Sequence, residues 1–439
     1  MDPLKAIYAL IHDLVFQHIE PTDLFENLML VSPSWNESVS NSKFFKENYK
    51  LVLDIHGKTS KDLITTVTRN YHHVEVQMCN DSKCHHRGAE KIKITKKEKS
   101  NWSEHVATIL ISLQNSMKTL MLGELEHESH DCHRIELPEL ESFKAQSVAT
   151  TILNTIFRSA RKLKELDVRE GDYKDCDPDM EIEMLDNLAQ CLRANKRLNH
   201  LCLDGPRFFH IFEEYFNMKF KLETLRFIYE GENHNCSYAA IYFKNFLLSQ
   251  GDSLKALTIY FPGYDIEKFV IESLTTLKTF SVNDVYFPEP VKKNHSIKYL
   301  TILPLKKPVH YDYLPNIDMY SEFPRTEIFK ALPCLKKVNI DQIDEGIIRT
   351  LAYNCPFIRD AKVENVNLDK ILREYTILKI VNPSINQLIR INGKNYFDLF
   401  SLLTNQPVGP YTIFGYKVPI INSIREYLFS QGAGYSTYH

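Results

Sequence analysis

From residue 50 onward the apolar positions recur in one short motif, apolar-x-x-apolar-x-apolar. It reads Met117/Leu120/Leu122, Leu140/Phe143/Ala145, Leu163/Leu166/Val168, Leu198/Leu201/Leu203 and Leu222/Leu225/Phe227. It continues as Leu254/Leu257/Ile259, Leu277/Phe280/Val282, Ile297/Leu300/Ile302, Leu335/Val338/Ile340 and Ile358/Ala361/Val363. Half-motifs occur at Leu51/Leu53, Val74/Val76 and, late in the chain, Tyr375/Leu378/Ile380. The alternating end of each motif predicts a short strand with one buried face. Between motifs, stretches 102–113, 150–160, 182–193, 238–248 and 343–353 carry apolar residues at helical spacing, as Ile152, Leu153, Ile156 and Phe157 show. Leu51 to Val74, Leu120 to Phe143 to Leu166, Leu257 to Phe280 and Val338 to Ala361 are steps of 23 residues. The 46 residues from Val74 to Leu120 read as two steps with a degenerate unit between them.

One strand and one helix per step predict an α/β solenoid, strands on a concave side and helices on a convex side. A two-layer α/β domain without a true repeat is the rival, and the number of matching units speaks against it. The Asn or Cys ladder expected after each strand is missing. Uneven steps place insertions near 172–180, 229–237, 261–265 and 304–324. Past about residue 382 the motif is lost. Asn392-Gly393 suits a tight hairpin turn, 418–429 an amphipathic helix and 430–439 a tail. A solenoid needs its last apolar face covered, so 383–439 reads as a C-terminal cap.

The first fifty residues follow another pattern. Leu10, Leu14, Val15 and Ile19, then Leu24, Leu28, Val31 and Trp35, fall at helical spacing. Pro21 halts the first run and Thr22 or Asp23 can cap the second. Ser32-Pro33-Ser34 ends that run, and a third short helix is expected over 34–47, closed by Phe44 and Phe45. So small a unit buries too little surface to stand alone and should lean on a neighbour or partner.

The run Val15-Phe16-x-x-Ile19-x-Pro21-x-Asp23-Leu24-x-x-x-Leu28-x-Leu30-Val31-Ser32-x-x-Trp35 resembles an F-box. Asp23 to Trp35 carries the specific half, since helical spacing alone does not demand Ser and Trp there. The other half departs from the family pattern, with Ile7-Tyr8 in place of the usual Leu-Pro pair. With the repeats, the chain is similar to the F-box/leucine-rich-repeat family over almost its whole length. That resemblance implies a three-helix F-box at 1–48, a curved solenoid of divergent leucine-rich repeats at 49–382, and the cap. It implies the substrate-recognition subunit of an SCF-type cullin–RING ubiquitin ligase, non-catalytic and without a cofactor. The F-box would dock a Skp-type adaptor through Val15, Phe16, Ile19, Pro21, Leu24, Leu28, Val31 and Trp35, some of which must instead fill the box's own core. The alternative is a repeat scaffold that binds partners without delivering ubiquitin, which the missing Leu-Pro pair favours.

Composition changes this picture little. Hydrophobic residues at 44% and charged ones at 25% fit an ordinary globular chain, and a net charge of −3 gives no footprint for nucleic acid or an anionic membrane. No run approaches the roughly 20 apolar residues of a membrane span, and residues 1–20 lack a signal-peptide layout. Nine scattered cysteines suit a reducing compartment, cytoplasmic or nuclear, where the N-x-S sequons are silent.

Few constellations point to chemistry. Cys79-x₄-Cys84-His85-His86, with His130, Cys132 and His133, offers zinc-ligating types at merely permissive spacing, so a polar loop is the preferred reading. Asp175-x-Asp177-x-Asp179-x-Glu181 starts like a calcium loop, but Met180 stands where Gly is required. Lys91, Lys93, Lys96, Lys97 and Lys99 read as a solvated basic loop. No nucleophile elbow, zincin, P-loop or dinucleotide fingerprint occurs. The residues alternating with buried ones in each strand should face the concave surface, and Arg169, Arg226, Thr258, Tyr260, Asn283, Tyr299 and Lys337 are the target-binding candidates. Tyr260 and Tyr299 are the expected centre of that site.

Overall fold

The computed structural model describes residues 11, 14–16, 18–19, 32–48, 50–54, 71–77, 89–93, 102–125, 135–170, 178–205, 207–208, 211–214, 218–229, 237–260, 266–282, 291–302, 326–342, 345–358, 360–365, 389–391 and 394–395. Packing divides the chain into two units, Met1–Phe246 and Leu247–His439. Both are α/β, with short parallel strands alternating with helices in an open arrangement compatible with a leucine-rich-repeat solenoid.

In the first unit the strands are β1 (Lys50–Asp54), β2 (His73–Gln77), β3 (Ala89–Lys93), β4 (Thr119–Leu125), β5 (Ser142–Val148), β6 (Glu165–Arg169), β7 (His200–Asp204) and β8 (Thr224–Ile228). They lie side by side as β8-β7-β6-β5-β4-β2-β1-β3, all parallel. The motif sets the register: Val74, Leu120, Phe143, Leu166, Leu201 and Leu225 are successive neighbours, and each is essentially fully buried. β2 pairs directly with β4, so no degenerate unit separates them. The chain between them sends Ala89–Lys93 past β1 to the outer edge. The 46-residue step is thus one long repeat rather than two.

The second unit holds β9 (Ala256–Tyr260), β10 (Thr279–Val282), β11 (Tyr299–Ile302), β12 (Lys337–Gln342) and β13 (Asp360–Asn365), parallel and in chain order. β14 (Ile389–Ile391) extends the row and folds back antiparallel on β15 (Lys394–Asn395), the hairpin that Asn392-Gly393 suggests. The expected helix at 418–429, the tail and the late half-motif at Tyr375 lie outside the described residues, as do 172–177, 231–236, 261–265 and 304–324.

Helices cover one face of the strands. Phe143 of β5 meets Phe157 of helix Thr150–Ser159 edge to face, with centroids 6.4 Å apart. Further along, Phe212 touches Phe227, Phe243 and Phe246 at 5.0, 4.9 and 5.0 Å, joining the helical turn Ile211–Glu214, β8 and helix Ser237–Ser249 in one aromatic cluster. Aromatic pairs at this spacing add about 0.5–1.5 kcal/mol beyond their burial.

Polar groups tie the repeats together before each strand rather than after it. Asn195, three residues ahead of Leu198, is 2% exposed. Its Oδ1 accepts the Leu163 N–H at 2.6 Å, and its Nδ2 donates to the Ala160 and Cys191 carbonyls at 3.0 and 2.7 Å. Asn294, three residues ahead of Ile297, donates to the Ile271 and Leu274 carbonyls at 2.8 and 3.0 Å. Cys355, three ahead of Ile358, donates its thiol to Phe329 and Leu332 at 3.4 and 3.6 Å. In all three, a short polar side chain satisfies carbonyls left open where the preceding helix or turn ends. The Asn and Cys positions absent after the strands are therefore present on the other side of them.

Candidate functional site

The N-terminal segment is built on two capped turns. Ser32 accepts the Trp35 N–H at 3.2 Å, and Pro33 begins a helix over Pro33–Asn41. Pro suits this first position because its missing N–H would be unpaired in any case. Ser42 then accepts the Phe45 N–H at 2.9 Å and starts a second helix, Lys43–Asn48. The expected single helix over 34–47 is thus two, beginning one residue earlier and divided at Ser42, whose hydroxyl competes with helical continuation.

Among the adaptor candidates, Phe16 is fully buried and packs on Trp35 with ring centroids 6.2 Å apart. Ile11, Leu14 and Val15 lie at the surface, 48, 52 and 43% exposed. Ile19 is half-buried. Pro21, Leu24, Leu28 and Val31 lie outside the described residues. The segment is fastened to β2 and the residues before it by Phe45 against Tyr71, centroids 5.9 Å apart, and by His73 Nε2 at 3.1 Å from the Glu47 carbonyl oxygen. His73 Nδ1 is taken by Thr119 Oγ1 at 2.8 Å, and burial holds its pKa below the usual histidine value.

On the strand face turned away from the helices, β6 to β8 carry a charge network. Arg169 donates from Nε and Nη2 to the two Asp167 oxygens at 3.0 Å each. Burial works against the Asp167 carboxylate, but bonds from Arg169 and Cys202 outweigh it and hold its pKa below the usual value. Arg226 Nη2 lies 3.7 Å from Asp204 Oδ2, and its buried Nε has no hydrogen-bond partner among the described residues. Cys202 stands opposite both Asp167 and Arg226 in register. Its thiol is buried and pushed up to about 12 by burial and by Asp167, which makes it inert as a nucleophile at neutral pH.

A second cluster closes the ends of β6 and β7. Arg207 Nε approaches Glu170 Oε1 at 3.2 Å and Glu181 Oε1 at 3.8 Å. Burial nevertheless dominates, and the Glu170 carboxyl is raised to about 7. Gly205 sits at φ +149°, and a Cβ there would run into the Glu170 side chain. Glycine suits this position because its backbone adopts a φ that other residues rarely take.

The target-binding candidates therefore fall into different environments. Arg169 and Arg226 are engaged with Asp167 and Asp204, Tyr260 is 8% exposed, and Tyr299 is 39% exposed. Thr258 is half-buried, Lys337 is exposed, and Asn283 lies outside the described residues. Tyr260 and Tyr299 thus differ, one packed and one open. Sequence reading missed Glu170, Arg207 and Gly205. The available signal was a Gly directly after a strand, next to opposite charges at matching places in successive repeats.

Cys79, Cys84, His85, His86, His130, Cys132 and His133 lie outside the described residues, as do Asp175 and Asp177. Among the described residues no group of three His, Cys, Asp or Glu side chains is arranged to hold a metal ion. No described helix is long and apolar enough to cross a membrane. Comparison of the sequence with protein-family models and with curated proteins finds no match.

Proposed function

We propose that this chain is the substrate receptor of an SCF-type cullin–RING ubiquitin ligase, docking a Skp-type adaptor through residues 1–48 and holding a target protein on a curved solenoid of leucine-rich repeats. The observation that carries this reading is the division of the first helical stretch into two faces. Phe16 turns inward onto Trp35, while Ile11, Leu14 and Val15 remain at the surface. Neighbouring exposed aliphatic side chains on a small helical unit mark a protein contact. The Asp23–Trp35 half of the F-box resemblance suggests a Skp-type adaptor as the partner, and the repeating parallel strands fit the remainder.

The receptor's contribution is positional. Holding a target beside a ubiquitin-charged conjugating enzyme raises the effective concentration of its lysines without any nucleophile from the receptor.

A second reading has its own support. Phe45 on Tyr71 and His73 on the Glu47 carbonyl seat the N-terminal helices at the start of the strands, as a cap would sit on a scaffold that binds partners without delivering ubiquitin. Reconstituted ubiquitination separates the two. With adaptor, cullin–RING subunits, conjugating enzyme and ubiquitin, the receptor reading expects the chain to bring ubiquitin onto itself or onto bound protein. The scaffold reading expects no transfer above the reaction lacking the chain.

A further inference from the structure

In both units the residue immediately before a strand recurs as an acceptor, its carbonyl taking two N–H groups from the next repeat. Lys118 accepts from Glu141 and Ser142, and Glu141 from Lys164 and Glu165, at 2.7–3.1 Å. In the second unit Lys278 accepts from Lys298 and Tyr299, and Lys298 from Lys336 and Lys337, at 2.8–3.1 Å. These doubled bonds fix the position in the repeats that make them, so within each unit its residues form a column at the strand spacing, roughly 4.8 Å.

The two units fill this column differently. In the first the position is mixed, with His72, Lys118, Glu141, Lys164, Asn199 and Glu223 in turn: Glu141 lies between Lys118 and Lys164, its Oε2 is 2.7 Å from Lys164 Nζ, and that bond holds the carboxyl below its usual range. In the second, Lys255, Lys278, Lys298 and Lys336 follow one another, and among the described residues Lys278, Lys298 and Lys336 meet no carboxylate. The neighbouring positions on the open face of β9 to β12 are Ala256, Thr258, Thr279, Ser281, Tyr299, Thr301, Lys337 and Asn339, and the acid in that alternation, Asp341, stands at the far end of β12 from the lysines. Like charges held at this pitch repel one another, and the fold that discharges the column in one unit leaves it charged in the other.

We infer that this lysine column, with the hydroxyl-rich face beside it, is a docking surface for an extended Asp/Glu-rich segment of a partner protein. Charge complementarity selects the occupant. Lysines offer compact point charges rather than the planar fork that grips phosphate bidentately, so a run of carboxylates matches them better than one phosphorylated residue. A whole-chain pI near 6.6 lacks the broad basic field of a nucleic-acid binder. Tyr299, 39% exposed beside Lys298, supplies an aromatic contact for apolar residues flanking the acids. The inference rests on the repeats being the target-holding part, and it does not depend on adaptor docking.

The test uses the full chain and a fluorescent peptide of alternating Glu and Ser, beside a Gln/Ser peptide and a single-stranded oligonucleotide. The acidic peptide is expected to bind, to weaken as salt shortens the screening length below about 10 Å, and to lose about tenfold or more in the Lys278→Gln, Lys298→Gln, Lys336→Gln variant. Glu141→Gln with Lys164→Gln, which alters the corresponding position in the other unit, should leave binding within about twofold, because neither residue belongs to the lysine run. Absence of acidic-peptide binding, binding indifferent to the triple variant, or tighter binding of the oligonucleotide through the same lysines would each overturn the inference. Adaptor capture is measured on the same proteins: its loss with peptide binding intact would defeat the ligase reading alone, and the reverse would defeat only this one.

Discussion

Replacing Asn195 by Ala tests whether polar side chains placed before the strands hold the repeats together. The wild-type side chain is buried and makes three hydrogen bonds, one accepted from Leu163 N–H and two donated to the Ala160 and Cys191 carbonyls. Removal does not orphan every partner. The Cys191 carbonyl keeps the Asn195 N–H at 3.1 Å, and the Ala160 carbonyl keeps the weak Cys191 thiol donor at 3.6 Å. The Leu163 N–H is the group left buried without its acceptor. At about 1 kcal/mol for each net hydrogen bond, with the orphaned amide at the upper end of about 1–3 kcal/mol, the expected loss is about 3 kcal/mol. Urea unfolding followed by far-UV circular dichroism measures it, with exposed Lys196→Ala as the control. Hydrogen exchange should localise the loss to β6 and β7, because repeat arrays open by neighbours. A loss below about 1 kcal/mol, or one spread evenly over the chain, would refute the idea that this side chain joins two repeats.

Two further perturbations probe packing and charge in the first unit. Phe212→Ala removes the ring shared by Phe227, Phe243 and Phe246, and should cost about 3–5 kcal/mol in urea unfolding; a near-neutral result would mean that the cluster repacks around the gap. Glu170 has a folded pKa raised to about 7 from 4.5, so its contribution to stability is fully present below pH 4.5 and is lost as pH rises through 7. The loss across that window amounts to about 3 kcal/mol. Glu170→Gln should flatten this part of the stability–pH curve, and a variant that declines as steeply as the wild type would assign the effect to another group.

The strands were legible because burial on one face forces a two-residue period, and among the described strands of each unit the middle apolar residue of the motif proved to share a register with its neighbours. The helices at 102–113 and 150–160 were legible for the same reason at a period near 3.6. The destination of Ala89–Lys93 was not. Strand pairing is a tertiary choice, and nothing local tells an edge position beside β1 from an internal one beside β2. Ser42 was overlooked because the apolar spacing runs on through it, while its hydroxyl redirects the backbone. The Asn195, Asn294 and Cys355 positions were hidden by uneven repeat lengths, which obscure that each stands three residues before its motif. On the open face, alternation picked out Arg169 and Arg226, but whether a side chain is spent on a neighbouring repeat depends on the adjacent strand. The same dependence decides Tyr260 against Tyr299.

Direct binding of a purified Skp-type adaptor to the full-length chain tests the central claim most directly, beside a Leu14→Asp, Val15→Asp variant whose substitutions fall on exposed positions and spare the Phe16–Trp35 core. Capture by the wild type, and its loss in a variant that still unfolds cooperatively at the wild-type denaturant midpoint, is the result the account predicts. Failure of the folded wild type to bind, or equal capture by both proteins, would contradict it.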